Sequence, residues 1–268
     1  MLVRELTDAL LEAFPPDDAE DWDHIGLSVG DPDAAVSGVR CALDATLEHV
    51  RATAAAGANV LLTHHPVYLS APDAFTPAAP ERPACAAVVY EAARTGVSIV
   101  SLHTNLDRSI EARRALPALV GLSPRSSLEY AAEPARHGLG ALCDVPACSL
   151  GALAAQLAHA FSTEPRVWGS AGAQLTRVAF LGGSLRHLGG RAMAGGAQAV
   201  ICGEAGYHVA QDLVARGCAL VLLGHDRSEE PFCAILADAA RNAGITPRDI
   251  AVIPGSRQWW TVSEGELS

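Results

Sequence analysis

Histidines, carboxylates and one asparagine gather just after four predicted strands of this 268-residue chain. They are His64 and His65 after ANVLLT, His103, Asn105 and Asp107 after VSIVSL, Glu204 and His208 after AQAVICG, and His225, Asp226, Glu229 and Glu230 after CALVLLG. The carboxyl ends of parallel strands meet at one edge of a sheet, where ligands collect. Imidazole and carboxylate groups on separate loops are typical ligands of Zn, Fe, Mn or Co, so the sequence predicts a divalent-metal site.

The spacing within two of these segments supports the same interpretation. His103 and Asp107 stand four residues apart, as do His225 and Glu229, which places each pair on one face of a helical turn. Glu230 would point about 100° away on such a turn, so Glu229 is the preferred ligand. Carboxylates can bridge two ions about 3.5–4 Å apart, and a water shared by the ions then becomes a nucleophile.

Each of these residues also has a simpler explanation. A single histidine in a loop is more often a hydrogen-bonded residue than a metal ligand. Asn105 and Asp107 could cap the following helix, and Glu229 and Glu230 could be first-turn acids favoured by the helix dipole. Because four strand ends all carry metal-type side chains, the joint explanation is favoured. Four other histidines lack this placement and are expected on the surface or in connectors: His49, His137, His159 and His187.

Strands and helices alternate along the chain that must position these residues. GVRCALDA, ANVLLT and VSIVSL read as strands in the first half, with TLEHVRATAAAG and CAAVVYEAARTG as helices between them. The second half repeats the scheme with the strands LGALCDV, TRVAFLGG, AQAVICG and CALVLLG, and Ser149 caps a helix there. This alternation predicts an α/β protein with mostly parallel sheets covered by helices.

Two α/β domains are expected, because the strand and helix pattern occurs twice on either side of a connector. The first domain spans residues 1–126 and carries the candidate ligands that follow ANVLLT and VSIVSL. The second half spans residues 127–268 and carries those that follow CALVLLG. Its C-terminal part could return to pack on the first domain.

Composition excludes several classes of protein. The net charge is −11 and all 19 basic side chains are arginine, without a basic cluster, so broad nucleic-acid binding is not expected. No apolar run reaches the roughly 18 residues that span a bilayer. The seven cysteines form no C-x-x-C pair and are expected to be buried free thiols. The N-terminal segment MLVRELTDALLEAF is amphipathic and contains acids, unlike a targeting peptide, which predicts a cytoplasmic protein.

Four motifs together resemble a known family. DWDHIGLSVGDP, LLTHHP, LHTNLD and a Gly-His pair followed four residues later by Glu are similar to the hexameric dinuclear-metal-centre proteins. These are commonly named GTP cyclohydrolase 1 type 2 homologues. The motifs run in the family's order from about Trp22 to Phe232 and so cover most of the chain. The resemblance implies a metal site in a cleft between two α/β domains, within a toroidal homohexamer.

The resemblance also assigns roles to individual residues. It implies that two divalent ions are held by five ligands, with His64 and Asp107 on one ion, His65 and His225 on the other, and Glu229 as the bridge. His103 would lie near the metals as a supporting residue or proton carrier. His208 would act on substrate from the cleft.

The adjacent histidines fit this assignment only if they have left the strand, because neighbouring side chains on a strand face opposite ways. Pro66 restricts His65 to an extended backbone, so the strand should end near Thr63. The two imidazoles can then splay, and each would serve a different ion.

Three positions depart from the family pattern. His24 stands where the family usually has asparagine, and it could alter the rim of the site or add a ligand. Asp226 and Ser228 replace an aromatic residue and a threonine in the last motif. These departures leave the metal ligands intact but affect which substrate is expected.

Two functions are compatible with this sequence. The first is a metal-dependent hydrolase, in which a metal-activated water attacks a small molecule such as a nucleotide or phosphoester. The family name would make the target C8 of the guanine ring of GTP, and cyclic amides are a further possibility. The alternative is a non-catalytic, ring-forming protein that binds metal as a scaffold or a trafficking factor.

Overall fold

The computed structural model describes residues 1–255 and 259–261. Its strands are β1 (Gly26–Val29), β2 (Val39–Ala42), β3 (Val60–Thr63), β4 (Ser98–Ser101), β5 (Pro124–Ser126), β6 (Ala141–Ser149), β7 (Arg166–Trp168), β8 (Gln174–Phe180), β9 (Ala199–Cys202), β10 (Ala219–Leu222) and β11 (Ile250–Val252). Its α-helices are α1 (Val3–Ala13), α2 (Leu47–Ala55), α3 (Ala84–Thr95), α4 (Thr104–Asp107), α5 (Ile110–Ala118), α6 (Leu150–Ala160), α7 (Gly189–Ala194), α8 (Tyr207–Ala215), α9 (His225–Glu229) and α10 (Phe232–Asn242).

The first sheet has the strand order β1-β4-β3-β2-β11. The four strands β2, β3, β4 and β11 are parallel, and β1 runs antiparallel to β4 at the edge. β11 comes from the far end of the chain and aligns Ile250 with Val39. The C-terminal segment therefore completes the sheet begun by the first residues of the chain.

Local sequence explains the central strands and their helices. All four residues of β3 and of β4 are buried, as expected for strands covered on both faces. Thr46 caps α2 by accepting a hydrogen bond from the backbone N–H of His49. Gly96 ends α3 at a φ of 72°, a left-handed conformation that glycine adopts without strain.

The second sheet has the order β5-β6-β8-β9-β10-β7. Only β8, β9 and β10 run parallel, while β5, β6 and β7 pair antiparallel with their neighbours. The predicted α/β fold with two helix-covered sheets is confirmed, but the expectation of mostly parallel strands is wrong for this sheet. Short strands with exposed residues, β5 and β7, carry no strong apolar signal, and pairing direction is set by tertiary contacts.

The two sheets share one hydrophobic core, in which α10 packs against the first sheet, α5 packs against the second, and the two helices contact each other. Phe232 and Leu236 of α10 are buried in this core together with Val60 of the first sheet and Ile201 of the second. Burial of apolar surface on both sides fixes the sheets against each other. The loops after β3, β4 and β10 therefore reach one common site.

Two expectations about the chain as a whole can be compared with the structure. All seven cysteines are free thiols, as predicted, and five of them are buried. Burial raises the pKa of Cys41, Cys202 and Cys233 to about 12, so these thiols stay protonated and unreactive. Within residues 1–255 and 259–261, no helix has both the length and the apolar character to cross a bilayer.

Candidate metal centre

The five side chains predicted to bind metal lie together where the two sheets meet. His64 and His65 follow β3 directly, Asp107 ends α4, and His225 and Glu229 begin and end α9. Three overlapping groups have ligand atoms within 4.8 Å of one another: His64, His65 and His103; His65, His225 and Glu229; and His64, Asp107 and Glu229. The loop after β3 thus meets α9, which lies more than a hundred residues later in the chain.

Glu229 is the centre of this cluster and is 4% exposed. Its Oε2 lies 2.9 Å from Nε2 of His65 and 3.2 Å from Nε2 of His225. Its Oε1 lies on the other side, 3.9 Å from Nε2 of His64. The two oxygens of one carboxylate therefore face different sets of side chains.

The surroundings of His64 leave its Nε2 as a hydrogen-bond acceptor. The imidazole is fully buried, and its Nδ1–H donates to the carbonyl oxygen of Leu102 at 3.0 Å. Burial lowers the pKa of His64 to about 3, so the ring is neutral and Nε2 carries a lone pair. This lone pair faces Oδ1 of Asp107 at 3.4 Å, and both atoms are buried without a hydrogen-bond partner.

A cation bound between the two atoms would give each of them a partner. Buried polar atoms without partners are costly, and the carboxylate form of Asp107 would also be repelled by the lone pair of His64. Donor atoms about 2.1 Å from a tetrahedral ion stand roughly 3.4 Å apart, which is the separation between His64 and Asp107. The imidazoles and carboxylates of the cluster therefore fit a divalent metal ion.

His65 and His225 are each held by a second carboxylate. Nδ1 of His65 donates to Asp44 at 2.8 Å, and Nδ1 of His225 donates to Glu204 at 3.1 Å. Burial opposes protonation of His65, but hydrogen bonds to Asp44 and Glu229 outweigh it and raise its pKa to about 10. The hydrogen bond to Glu229 raises the pKa of His225 to about 9. Such carboxylates orient imidazoles that ligate metal.

The two clustered carboxyl groups have opposite pKa shifts. Burial, together with the charge of Glu229, raises the pKa of Asp107 well above its usual range. Burial acts in the same direction on Glu229, but hydrogen bonds from His225 and His65 hold its pKa well below its usual range. Without a cation, the charge of the cluster is thus shared between Glu229 and the protonated imidazoles.

His103 lies beside the cluster and is oriented by Asp23. Its Nδ1 donates to Oδ1 of Asp23 at 2.8 Å, and the ring of Trp22 packs against it edge-on at 5.9 Å. Hydrogen bonds from His103 and Thr104 outweigh the effect of burial and hold the pKa of Asp23 below its usual range. Asn105 is fully buried and accepts a hydrogen bond from the backbone N–H of His103, which fixes the turn.

Two close contacts bring the loop after β8 against Glu229. Gly183 has a φ of 60°, and a Cβ at this position would lie 2.3 Å from Oε1 of Glu229. The hydroxyl of Ser228 accepts from the backbone N–H of Gly183 at 2.9 Å and donates to the carbonyl of His225. The serine that departs from the family pattern thus ties α9 to the second sheet.

Other predicted residues lie outside the three groups. His208 is exposed on α8, where its ring contacts Tyr207, and among the described residues no hydrogen bond or ion pair joins it to the cluster. His24 stacks at 4.8 Å on Tyr68 rather than joining a metal group. His49, expected on the surface, is buried, because its Nδ1 bonds to the carbonyl of Asp44.

Sequence reasoning identified Glu204 but missed Asp44 and Asp23, the other two carboxylates that orient the histidines. Asp44 lies two residues after the end of β2, so its position near a strand end was an available signal. Asp23 lies in the DWDHIG motif, but its contact with His103 joins residues 80 positions apart. Gly183 belongs to a glycine pair after β8, which is a recognisable sign of close backbone approach.

An open cleft of about 730 Å³, which we call the main cleft, adjoins the cluster. It is bounded by the cluster residues His65 and His225 and by residues that follow β2, lie on or near the second sheet, or belong to the C-terminal segment: Asp44, Glu164, Arg166, Glu204, Asp226, Trp259 and Thr261. The indole N–H of Trp259 donates to Asp226 at 3.2 Å. The cleft is large enough for a small organic molecule.

A sequence profile of Duf34/NIF3 (NGG1p interacting factor 3) matches residues 1–254. The chain belongs to the Duf34/NIF3 family. The resemblance to GTP cyclohydrolase 1 type 2 homologues is confirmed by a protein of that name from Streptomyces coelicolor. The two are 30% identical over 237 residues, which are 85% of this chain and 82% of the relative. A Mycobacterium tuberculosis protein of the same name is 37% identical over 126 residues, 47% of this chain but 32% of that protein.

Solved structures of family members share the fold. A Staphylococcus aureus hypothetical protein, SA1388, superposes with a TM-score of 0.86 at 22% identity, covering 98% of this chain and 99% of that one. A Bacillus cereus protein related to NIF3 gives a TM-score of 0.85 at 18% identity, with the same coverage. At these identities the similarity establishes the Duf34/NIF3 fold and leaves chemistry to the residues of the site.

Proposed function

We propose that this Duf34/NIF3 protein is a hydrolase that depends on two divalent metal ions. The observation that carries the proposal is the buried pair of His64 Nε2 and Asp107 Oδ1, two unpartnered acceptors 3.4 Å apart. His64, Asp107 and Oε1 of Glu229 would hold one ion. His65, His225 and Oε2 of Glu229 would hold the other.

Two divalent cations in such a centre act as Lewis acids that activate water at neutral pH. The residues around them would prepare the substrate. His103 would carry a proton, because Asp23 orients the ring through Nδ1 and leaves Nε2 available for proton transfer. His208 would contact a substrate only from outside the cluster, across the surface of α8. The main cleft would receive the organic part of a nucleotide, a phosphoester or a cyclic amide.

Location and assembly are further parts of the proposal. A cytoplasmic location is supported by seven cysteines that are all free, since thiols persist in reducing compartments. Assembly into a homo-oligomer, expected to be a hexamer, is supported by exposed apolar side chains on neighbouring elements, including Tyr207, Val209 and Val167. Light scattering of the purified protein would measure the mass of the assembly.

Metal content and turnover test the proposal together. We expect protein reconstituted with Zn, Mn, Fe or Co to contain two ions per chain. It should hydrolyse a member of a panel of phosphoesters, cyclic amides and GTP, with formate release monitored for GTP. Asp107→Asn should lose most of both properties, whereas Asp212→Asn, which removes an exposed carboxylate paired with Arg216, should not.

The outcomes separate the two functions. Two bound ions without turnover of any compound would support the non-catalytic scaffold or trafficking alternative. Failure to take up metal would refute both functions. Turnover by Asp107→Asn at the wild-type rate would remove this carboxylate from the proposed mechanism.

A further inference from the structure

Arg186 adopts an unusual backbone conformation beside the metal centre. It follows β8 and has a φ of 48°, and Ser162 is the other non-glycine residue with positive φ in the described chain. The left-handed region is unfavourable for a long side chain such as arginine. Residues kept in this conformation often serve a site, so the position of the side chain requires an explanation.

The guanidinium of Arg186 is directed to the cluster by an aromatic ring. It lies 4.8 Å from the centroid of Trp22, whose ring packs against His103. Among the described residues, no carboxylate lies within ion-pair distance of Arg186. Stacking on an aromatic face leaves the N–H donors of a guanidinium free for an anion.

Arg186 lines a second opening to the centre, which we call the side channel. Its walls include Thr104, Ser184 and Arg186 together with four residues of the centre: His103, Asp107, His225 and Glu229. Its volume of about 50 Å³ admits a small group rather than a whole nucleotide. The side channel and the main cleft meet at His225, which lines both.

The two openings differ in charge. Four carboxylates line the main cleft against one arginine, Arg166, so that cleft disfavours anions. In the side channel, Asp107 and Glu229 are the proposed metal ligands, and Arg186 is the remaining charged side chain of the lining. Once the two carboxylates are neutralised by metal, the side channel is the cationic entrance.

We propose that Arg186 binds an anionic oxygen group of the substrate, a phosphate or a carboxylate, in the side channel. The inference rests on the proposed two-metal function and assigns the orientation of its substrate. The anionic group would enter beside Arg186, while the uncharged or cationic part would extend into the main cleft. A guanidinium can hold two oxygens of such a group at once.

Two other arginines of the second half of the chain are engaged elsewhere. Arg227 pairs with Glu230 at 2.8 Å, and Arg191 donates to the carbonyl of Glu129 at 3.0 Å. Arg191 lies only five residues from Arg186 but does not line the side channel. It therefore offers a matched control with the same change of net charge.

Calorimetric titration of the metal-loaded protein with inorganic phosphate tests the proposal. Arg186→Asn should weaken phosphate binding at least about 10-fold, because charged hydrogen bonds are lost. Arg186→Lys should lie between this variant and the wild type, and Arg191→Asn should bind as the wild type does. A parallel titration with acetate distinguishes phosphate from carboxylate recognition.

Melting temperatures distinguish a loss of anion binding from a loss of folding. Asparagine tolerates positive φ, so Arg186→Asn should melt at the wild-type temperature or above it while losing anion affinity. Arg186→Gly provides a second variant that removes the backbone strain. Equal phosphate affinity in wild type, Arg186→Asn and Arg186→Gly, at equal metal content, would overturn the proposal, as would a metal-loaded wild type that binds neither anion. Absence of metal in the wild type would instead refute the proposed function.

Discussion

His64 at the end of β3 and His225 at the start of α9 approach the same carboxylate, Glu229, but their surroundings differ. The His64 side chain is fully buried, whereas 42% of the His225 side chain is exposed. Burial holds the pKa of His64 at about 3, and the carboxylate partner raises that of His225 to about 9. The first sheet supplies a rigid, neutral ligand, and the second sheet supplies one that solvent can reach.

The hydrogen-bond partners of the two histidines differ in the same way. His64 is fixed by a backbone carbonyl, that of Leu102, whereas His225 is held by the exposed side chain of Glu204. A backbone acceptor in a buried strand end cannot rotate away, but an exposed glutamate can. The first-sheet half therefore sets the geometry of the centre, and the second-sheet half is better placed to exchange ligands with solvent.

The largest effect is expected at Glu229, because this residue joins the two halves. Glu229→Gln should reduce metal affinity by more than about 100-fold, since loss of a direct ligand exceeds the cost of a supporting residue. Glu230→Gln removes the same charge one residue later, where it pairs with Arg227, and should retain both ions. Elemental analysis after dialysis measures the difference. Equal metal content in both variants would contradict the central role of Glu229.

Removing a carboxylate that orients a histidine should reduce metal affinity more in the first-sheet half than in the second-sheet half. Asp44→Asn weakens the support of His65 and should lower metal affinity about 10- to 100-fold. Glu204→Gln changes the exposed support of His225 and should cost less than about 10-fold, because water can replace it. Competition with a chromophoric chelator compares the two dissociation constants. A larger loss of metal affinity in Glu204→Gln than in Asp44→Asn would contradict the difference between the two halves.

Stability of the metal-free protein should fall on both sides of neutral pH, for different reasons. The pKa values of His65 and His225 are raised to about 10 and about 9, so their contribution is complete below about pH 6.5 and disappears as pH rises through these values. The pKa of His64 is lowered, so its burial costs stability as pH falls from about 6.5 towards 3. Solvent screening reduces the effect of shifts at exposed groups such as His225, so each limb should amount to roughly 1–3 kcal/mol.

Variants assign these two limbs to individual histidines. Urea unfolding at several pH values should show a flatter basic limb for His225→Gln and a flatter acidic limb for His64→Gln. Unchanged limbs in both variants would show that other groups govern the pH dependence.

The smallest effect is expected at His208, which lies outside both halves. His208→Ala should retain the metal content and change the free energy of unfolding by no more than about 0.5 kcal/mol, as for other exposed residues. If its turnover also matched the wild type, the predicted catalytic role of His208 would be lost. His103→Gln is the informative comparison, because His103 lies against His64 and His65.

The fold was predictable where the signal is local. β3 and β4 are short apolar runs, and α2 begins at a threonine cap, so their positions follow from the adjacent residues. β1, β5, β7 and β11 are short and partly exposed, and all but β5 form by pairing with a strand distant in sequence. The sequences of these strands do not indicate which neighbouring strand each will pair with.

The kinds of ligand and their local spacing follow from the sequence alone. The strand ends before His64, and His225 and Glu229 share a face of one helical turn, because backbone geometry and Pro66 act over a few residues. Only the tertiary structure decided that Glu229 presents separate oxygens to His64 and His65, and that His103 rather than His208 lies against them. These contacts depend on how α5 and α10 pack the two sheets together, which is a property of the whole core rather than of any segment.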